Sequence, residues 1–405
     1  MAVVAGDAVL IAAQSGRALA QAARRAGLRP YVLDLFGDQD TLDLAQAHRP
    51  LPGRFGTGRL GGQAVLAGLD ELAVLAGGRP LGVILGSGFE GAPDLIAAIA
   101  ARHRLLGARA PTVAALKDPL AFAALCARHA IPHPAVTLGA VPDPARWLLK
   151  RVGGSGGTHI RAAGRRAAAP GHYAQARVPG RAHALNVLAD GRDIAVLTLT
   201  EQWSAPSPLR PFRYAGAVAP GRNETPMIPD RLLAAITGAV ARLVAETGLV
   251  GLASADLLID GDTWWLLEIN PRPGATLDVL DRRPTPLLAQ HIDACLGVSP
   301  RLDPSPEDAA GAQICYAARD HATVPPLNWP DYTRDRPRAG SRVAGDAPFC
   351  TVTARAATVA DVRVSLRERD RAVRGLIDET ESMDDRAEIS QRQRADGAAG
   401  GAPRR

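Results

Sequence analysis

Apolar runs and alanine-rich stretches alternate through the first hundred residues. Ala8–Ala13, Tyr31–Leu35 and Leu81–Leu85 are short apolar runs with the length of β-strands. Ala18–Ala26 has the composition of a helix, and Gly27 follows it directly, as glycine commonly does at a helix end. Strands that alternate with helices are typical of a parallel sheet. The pattern therefore predicts a small α/β domain at the N-terminus.

The middle of the chain has a different pattern, in which hairpins and longer helices predominate. Three stretches have the periodicity and length of helices: 94–110, 118–130 and 231–247. Two apolar runs, Leu185–Leu188 and Ile194–Thr200, flank the turn signal Asp190-Gly191, which predicts a β-hairpin. Residues 204–230 are rich in proline and irregular, so we expect a loop over a cleft there. These features indicate an α+β region.

From residue 300 the character of the chain changes again. Gln313–Ala318 and Phe349–Ala354 read as strands, and Thr358–Arg374 reads as a helix. We therefore expect a small C-terminal domain over residues 301–375. Residues 376–405 are polar and mixed in charge, a composition typical of a disordered tail.

Residues 256–274 carry the clearest chemical pattern. Two apolar runs meet at Asp260-Gly261-Asp262, which indicates a hairpin. A three-residue turn centred on Asp262 would place Asp256 opposite Glu268. Two carboxylates would then face each other across neighbouring strands.

The second of these runs ends in Glu268, Asn270 and Arg272, at alternate positions. Side chains two apart on a strand share one face. Carboxylate and amide oxygens suit magnesium, which usually binds through one or two carboxylates and substrate phosphates. The alternative is an amphipathic hairpin with a solvated polar face. The two tryptophans beside the acid favour the metal-binding interpretation.

Lysine is rare in this chain, since only Lys117 and Lys150 accompany the arginines among 47 basic residues. A compact ammonium and a planar guanidinium are not interchangeable. Each lysine is therefore a candidate for a site that needs an ammonium, unless both survive by chance beside ordinary turns.

A glycine-rich loop follows the predicted strand Trp147–Val152, immediately after Lys150. Its residues are Gly153, Gly154, Ser155, Gly156, Gly157 and Thr158. Such loops let backbone N–H groups approach phosphate oxygens, and a nearby ammonium neutralises their charge. For His159, which follows the loop, we expect a structural role with satisfied ring nitrogens and not a catalytic one.

Composition excludes several classes of protein. No apolar run reaches the length of about 18 residues that a membrane span needs, and no leader pattern opens the chain. The four cysteines form no Cys-x-x-Cys pair, so we expect reduced thiols in a cytoplasmic protein and no zinc site. The net charge of +6 is spread along the chain without interleaved aromatic residues, which argues against nucleic-acid binding.

The ordered set of both lysines, the glycine loop, Asp256 and the Glu-x-Asn-x-Arg motif resembles the ATP-grasp ligases over residues 1–300. That resemblance implies a multidomain α/β and α+β protein with an ATP-grasp fold. Its expected parts are an N-terminal α/β (pre-ATP-grasp) domain over residues 1–110 and an ATP-grasp domain over residues 111–300 with a mobile flap at 153–158. A small C-terminal domain over residues 301–375 is similar to one that closes several such enzymes.

The resemblance also implies roles for individual residues. Lys117 and Lys150 would contact the phosphates of ATP, under the flap formed by residues 153–158. Magnesium or manganese would be held by Asp256, Glu268 and Asn270. Arg272, with Lys150, would stabilise the transferring phosphoryl group.

The adenine side departs from the family pattern. The segment Gln175–Ala182 resembles the hinge strand that lines adenine, with Gln175 and Val178 as contacts. Many family members have an acid just after the glycine of this segment, where it binds the ribose. Ala182 stands there instead, so ribose recognition must differ.

The N-terminal domain of such folds often helps to hold the second substrate. Two strand-to-helix loops would then face the cleft, and Arg17 could bind a substrate carboxylate while Glu90 binds a substrate ammonium. The alternative is a glycine-bearing turn with a helix-capping acid.

The segments Gly86–Pro93 and Glu268–Leu280 further resemble predicted carboligases of methylotrophs, which are linked to tetrahydromethanopterin and methanofuran metabolism. The resemblance implies an ATP-dependent carboxylate–amine ligase that acts through an acyl phosphate. A bicarbonate-using carboxylase and a non-catalytic ATP-binding protein are the alternatives. The expected partners are small acids and amines, and neither nucleic acid nor a membrane. The sequence leaves open whether the protein forms a homo-oligomer.

Overall fold

The computed structural model describes residues 4–53 and 60–378. Its N-terminal part is a parallel four-stranded sheet in the order β3-β2-β1-β4. The strands are β1 (Ala8–Ala12), β2 (Arg29–Asp34), β3 (Ala47–Pro50) and β4 (Val83–Leu85). The helices are α1 (Arg17–Arg25), α2 (Gln39–Leu44), α3 (Gly62–Leu75) and α4 (Pro93–Ala100). The alternation of strands and helices predicted from the sequence is confirmed.

The prediction of a helix over residues 94–110 is wrong for the second half of that range, which is not helical. Helix α4 ends at Ala100, and the chain then returns to the sheet, where Leu105 forms a parallel bridge with Val83. Leu106 is buried there, so this stretch belongs to the core of the N-terminal part. Burial of Leu106 outweighs the helical periodicity of the segment.

Two helices lead from this region into a small antiparallel sheet. They are α5 (Ala110–Lys117) and α6 (Pro119–Arg128), with Asp118 capping the second through the backbone N–H groups of Leu120 and Ala121. The sheet has the order β5-β8-β6-β7. Its strands are β5 (Val136–Thr137), β6 (Trp147–Arg151), β7 (Arg161–Ala162) and β8 (His172–Ala176), and a 3-10 turn lies at Pro144–Arg146.

An eight-stranded sheet forms the centre of the molecule, in the order β13-β12-β9-β10-β11-β14-β16-β15. Its strands are β9 (Arg181–Asp190), β10 (Ile194–Ser204), β11 (Tyr214–Ala219), β12 (Val250–Asp260), β13 (Thr263–Asn270), β14 (Ala309–Tyr316), β15 (Thr333–Arg334) and β16 (Pro348–Ala356). The helices are α7 (Asp230–Thr247), α8 (Leu277–Leu280), α9 (Leu287–Cys295) and α10, described over residues 359–378.

The C-terminal strands extend this sheet instead of building a sheet of their own. Strand β14 pairs with β11 on one side and β16 on the other. It begins at Ala309, four residues before the predicted strand, because both flanking strands supply hydrogen-bond partners to its alanine-rich start. The proposed division into domains stays a prediction. The expected disordered tail falls mostly on residues 379–405, outside the described residues.

Strand β11 also corrects the expectation of a loop over residues 204–230. Residues Tyr214–Ala219 form an inner strand of the large sheet, paired with β10 and β14. The flanking prolines do not prevent this pairing, because they lie outside the paired residues.

In the described residues, no single helix is long and apolar enough to cross a membrane. Helices α5 and α6 meet that test only when taken together, and their axes bend by 82° at the break.

Candidate functional site

The hairpin of β12 and β13 brings two acids face to face. Asp256 pairs with Glu268, as the sequence predicted. The turn, however, has two residues, Gly261 and Asp262, and not three. The extra residue lies in a β-bulge at Leu267, which shifts the register so that the two carboxylates still lie opposite each other.

The two carboxylates differ in their tendency to hold a proton. Burial raises the pKa of Asp256, and the charge of Glu268 raises it further. Burial also acts on Glu268, but Lys117 and Lys150 outweigh it and hold its pKa below the ordinary value. One acid is therefore ionised, whereas burial and the charge of the first acid disfavour ionisation of its partner.

Lys117 sits directly against this acid pair. Its Nζ atom lies 3.0 Å from Glu268 Oε2 and 2.7 Å from Asn270 Oδ1. The Asn270 amide in turn donates to Asp256 Oδ2 at 3.0 Å. The buried ammonium thus orients the three oxygen-bearing side chains predicted to hold a metal.

Lys150, on β6, contrasts with Lys117. Within the described ranges no hydrogen bond or ion pair reaches its Nζ atom, although the residue is buried. Burial lowers its pKa, and Glu268 and Asp256 partly oppose that effect. A mostly buried lysine that lines the cavity and whose ammonium has no protein partner is the arrangement expected of a group that meets an anionic ligand.

A cavity of about 960 Å³ opens between the two antiparallel sheets and the N-terminal part. Most of the predicted site residues line it: Arg17, Lys150, Ser155, Gly156, Gly157, Thr158, Gln175, Val178, Asp256, Glu268, Asn270 and Arg272. Lys117 and Gly153 line a smaller neighbouring cavity that shares Gln175 and Glu268 with the large one. The ammonium of Lys150 and both acids therefore face one space, although they come from separate parts of the chain.

Two glycines allow the flap to pack closely against neighbouring backbone. A Cβ atom at Gly153 would lie 2.2 Å from the Gly91 backbone, and one at Gly157 would lie 1.9 Å from the Phe212 carbonyl oxygen. Both residues also have positive φ. The Tyr214 amide donates to the Gly156 carbonyl at 2.8 Å. The flap is thus packed between the loop after β4 and the start of β11.

The residues expected on the adenine side come from the connection between the two sheets. Gln175 is buried on β8, and Val178 lies in the link that runs to β9. Gly180 packs against the Ile259 backbone, where a Cβ atom would approach to 2.8 Å. Ala182 lines the cavity, so the departure at the ribose position lies inside the site.

The two residues expected to bind the second substrate are engaged within the protein. Glu90 is buried, and its Oε1 atom accepts from Arg272 Nε at 2.7 Å. Arg17 is buried and pairs with Asp278 and with Asp335, whose Oδ1 lies 2.8 Å from Arg17 Nε. Their assignment to substrate stays a prediction that these contacts do not support.

Sequence reasoning missed three acids that line the same cavity: Asp38, Asp278 and Asp335. Asp38 caps α2 through the Thr41 amide at 2.7 Å, and burial followed by the charge of Asp335 raises its pKa to about 7. No local motif marks Asp38 or Asp335, which come from distant segments of the chain. Asp278 had one signal in the sequence, its position a few residues after Arg272.

Known proteins can be compared with this geometry. Residues 118–276 match the ATP-grasp domain family. This stretch of the chain is therefore similar to an ATP-grasp domain. It contains the flap, Lys150 and the acid-bearing hairpin, whereas Lys117 lies one residue before its start. No curated protein matches the chain significantly.

Solved structures share the fold across most of the chain. Biotin carboxylase of Campylobacter jejuni, in a β,γ-ATP complex, has a TM-score of 0.65 at 12% identity and covers 89% of each chain. The biotin carboxylase domain of Hydrogenobacter thermophilus 2-oxoglutarate carboxylase, with MgADP and bicarbonate, has a TM-score of 0.66 at 12% identity, over 87% of each chain. An L-amino acid ligase of Bacillus licheniformis has a TM-score of 0.64 at 16% identity, over 91% of this chain and 98% of its own. The expected α/β multidomain ATP-grasp fold is confirmed.

The donor set suits a hard divalent cation. Among the residues that the structure describes, no three His, Cys, Asp or Glu side chains cluster as a metal site. The candidate set instead combines the carboxylates of Asp256 and Glu268 with the Asn270 amide oxygen. Two carboxylates and an amide oxygen fit magnesium, which takes its remaining ligands from water and phosphate.

Proposed function

We propose that the protein is an ATP-dependent carboxylate–amine ligase that acts through an acyl phosphate. The observation that carries this proposal is the single cavity onto which Lys150, Asp256, Glu268, Asn270 and Arg272 all open. These residues combine one unpaired ammonium, a guanidinium and an oxygen donor set. Together they match what transfer of a γ-phosphoryl group requires.

The proposed chemistry has two steps. A carboxylate oxygen of the first substrate attacks the γ-phosphorus of ATP, and the bond to ADP breaks. The amine then attacks the acyl carbon, inorganic phosphate leaves, and the amine loses a proton. The acyl phosphate hydrolyses readily in water, so a flap packed over the cavity protects it.

The residues of the chain divide this work by charge. Lys150 offsets negative charge on the phosphates, and Arg272 stabilises the phosphoryl group in transit. Asp256, Glu268 and Asn270 would hold magnesium, which when bound neutralises phosphate charge and orients the γ-phosphoryl group. Lys117 keeps Glu268 ionised and Asn270 in place. Removing one such contact typically costs about 3 kcal/mol of transition-state stabilisation.

Three acids favour an amine as the second substrate. Asp38, Asp278 and Asp335 line one part of the cavity, where Arg17 pairs with the last two and Arg338 and Arg342 also contribute to the lining. Carboxylate oxygens there can accept hydrogen bonds from a substrate ammonium group.

The alternative is a carboxylase that uses bicarbonate, and the shared fold of the two biotin carboxylases favours it. A non-catalytic ATP-binding protein is the third candidate. The finer resemblance to carboligases of methylotrophs would make the product an amino-acid or glutamyl amide in one-carbon cofactor synthesis.

A screen of acid and amine pairs tests the proposal. The purified protein is incubated with Mg·ATP and each pair, including glutamate and tyramine, and phosphate and amide products are measured by mass spectrometry. Phosphate release that requires both an acid and an amine supports the ligase. Release that requires bicarbonate supports the carboxylase, and nucleotide binding without turnover supports the third candidate. The Glu268→Gln variant is the blank, because it replaces the charged carboxylate of the proposed metal site with a neutral amide.

A further inference from the structure

His159 was expected to be a structural residue with satisfied ring nitrogens, and the structure differs. Its Nδ1 atom is shielded from solvent and has no hydrogen-bond partner in the described part of the chain. The ring lines the large cavity. A buried polar atom without a partner is costly, so an arrangement of this kind points to a missing contact.

The flap is shaped to admit this ring. A Cβ atom at Gly154 would lie 2.4 Å from the Cγ atom of His159 and 2.5 Å from Nδ1. Only glycine at position 154 leaves room for the imidazole under the loop. The loop and the ring therefore form one unit at the start of the flap.

His159 lies near charged residues of the proposed ATP site, among them Lys150 and Glu268. Burial lowers its pKa to about 4; the charge of Glu268 opposes this, and that of Lys150 adds to it. The imidazole is thus neutral near neutral pH and has one N–H donor and one acceptor nitrogen. A neutral donor next to an unpaired ammonium suits an anionic oxygen.

His133 provides a contrast within the same region. Its Nε2 atom is also buried without a partner, but its Nδ1 atom lies 2.7 Å from the Leu266 carbonyl oxygen. Its ring packs edge-on against Phe122, with centroids 5.2 Å apart. The structure thus accounts for the position of His133 by contacts within the protein.

We propose that His159 binds nucleotide, donating a ring N–H to a phosphate oxygen of ATP beneath the closed flap. The inference rests on the proposed ATP site. It assigns a side-chain contact to the flap, beyond the backbone contacts expected of its glycines. The contact ties closure of the flap to the presence of the phosphate chain.

Nucleotide binding without a second substrate tests the inference. Isothermal titration with magnesium and the β,γ-imido analogue of ATP is compared for the wild type and His159→Phe, which keeps a ring but has no nitrogen. We expect binding to weaken about tenfold or more, because a hydrogen bond to a charged group is lost. His129→Phe, at an exposed ion pair with Glu246, is the control and should bind as the wild type does.

The possible results separate the contact made by His159 from the ligase proposal. Wild-type affinity in a folded His159→Phe protein overturns the inference and leaves the ligase proposal standing. Failure of the wild type itself to bind the analogue overturns both. If the phenylalanine variant does not fold, ¹⁵N spectra of histidine-labelled wild type decide. The resonance missing in His159→Gln should shift on addition of the analogue, and an unmoved resonance rejects the contact.

Discussion

The Nε atom of Arg272 lies 2.7 Å from Oε1 of Glu90, a residue 182 positions earlier in the chain. The second carboxylate oxygen of Glu90 accepts from the Gly88 amide at 2.6 Å. Burial would raise the pKa of Glu90, but Arg272 and then Lys117 outweigh it and lower the pKa. The next residue, Gly91, packs against Gly153 of the flap. One loop of the N-terminal part therefore fixes the arginine and supports the flap.

Glu90→Gln should lower kcat about tenfold to a hundredfold and leave the KM for ATP nearly unchanged. The amide keeps the shape but loses the charge that orients the guanidinium. Steady-state phosphate release measures the effect. Glu71→Gln is the matched control, since Glu71 pairs with Arg49 at the surface, and full activity of both variants would argue against a positioning role for Glu90.

The two lysines should respond differently to replacement by methionine. Lys150→Met should reduce turnover about a hundredfold or more but leave stability unchanged or raised, because no hydrogen bond or ion pair within the described residues is lost with the ammonium. Lys117→Met should destabilise the protein by about 3 kcal/mol or more, since Glu268 loses its ion pair. Thermal unfolding and phosphate release separate the two effects. Equal losses of stability would show that both ammonium groups are structural.

The flap allows a comparison among three glycines with positive φ. Gly153→Ala and Gly157→Ala should impair activity strongly, because each Cβ atom would collide with backbone. Gly156→Ala should cost only about 1 kcal/mol, since nothing lies within 4 Å of the added atom. Activity at saturating ATP and protection of the flap from proteolysis by nucleotide are the measurements. Equal behaviour of the three variants would mean that packing of the flap is unimportant.

Asp38 should make the protein less stable as pH rises. Its folded pKa of about 7 lies above the ordinary value near 4, so the folded state binds the proton more tightly. Stability from this group is complete below about pH 4 and falls as pH rises towards 7. Asp38→Asn keeps a helix cap and should exceed the wild type in stability at pH 8, by up to about 4 kcal/mol. Urea unfolding at pH 5 and pH 8 checks this, and a pH-independent difference would contradict it.

Much of the candidate site follows from short-range sequence rules. Alternation along β13 puts Glu268 and Asn270 on one face, and the scarcity of lysine singles out Lys117 and Lys150. The facing of Asp256 and Glu268 was predicted correctly for a wrong reason, because a bulge supplies the residue that was assigned to the turn. A bulge inside an apolar hairpin has no reliable local signature.

The sequence by itself determined most of the elements and the residue types of the candidate site, because turns, strand alternation and glycine loops depend on residues a few positions apart. Only the tertiary structure decided which charges are free. Arg17 begins helix α1 and Glu90 lies in the loop after β4, yet their partners Arg272, Asp278 and Asp335 lie 182 to 318 positions away. An ion pair between residues so far apart in sequence forms only in the complete tertiary structure. The sequence alone therefore cannot show that these charged residues are already paired and not free to bind a substrate.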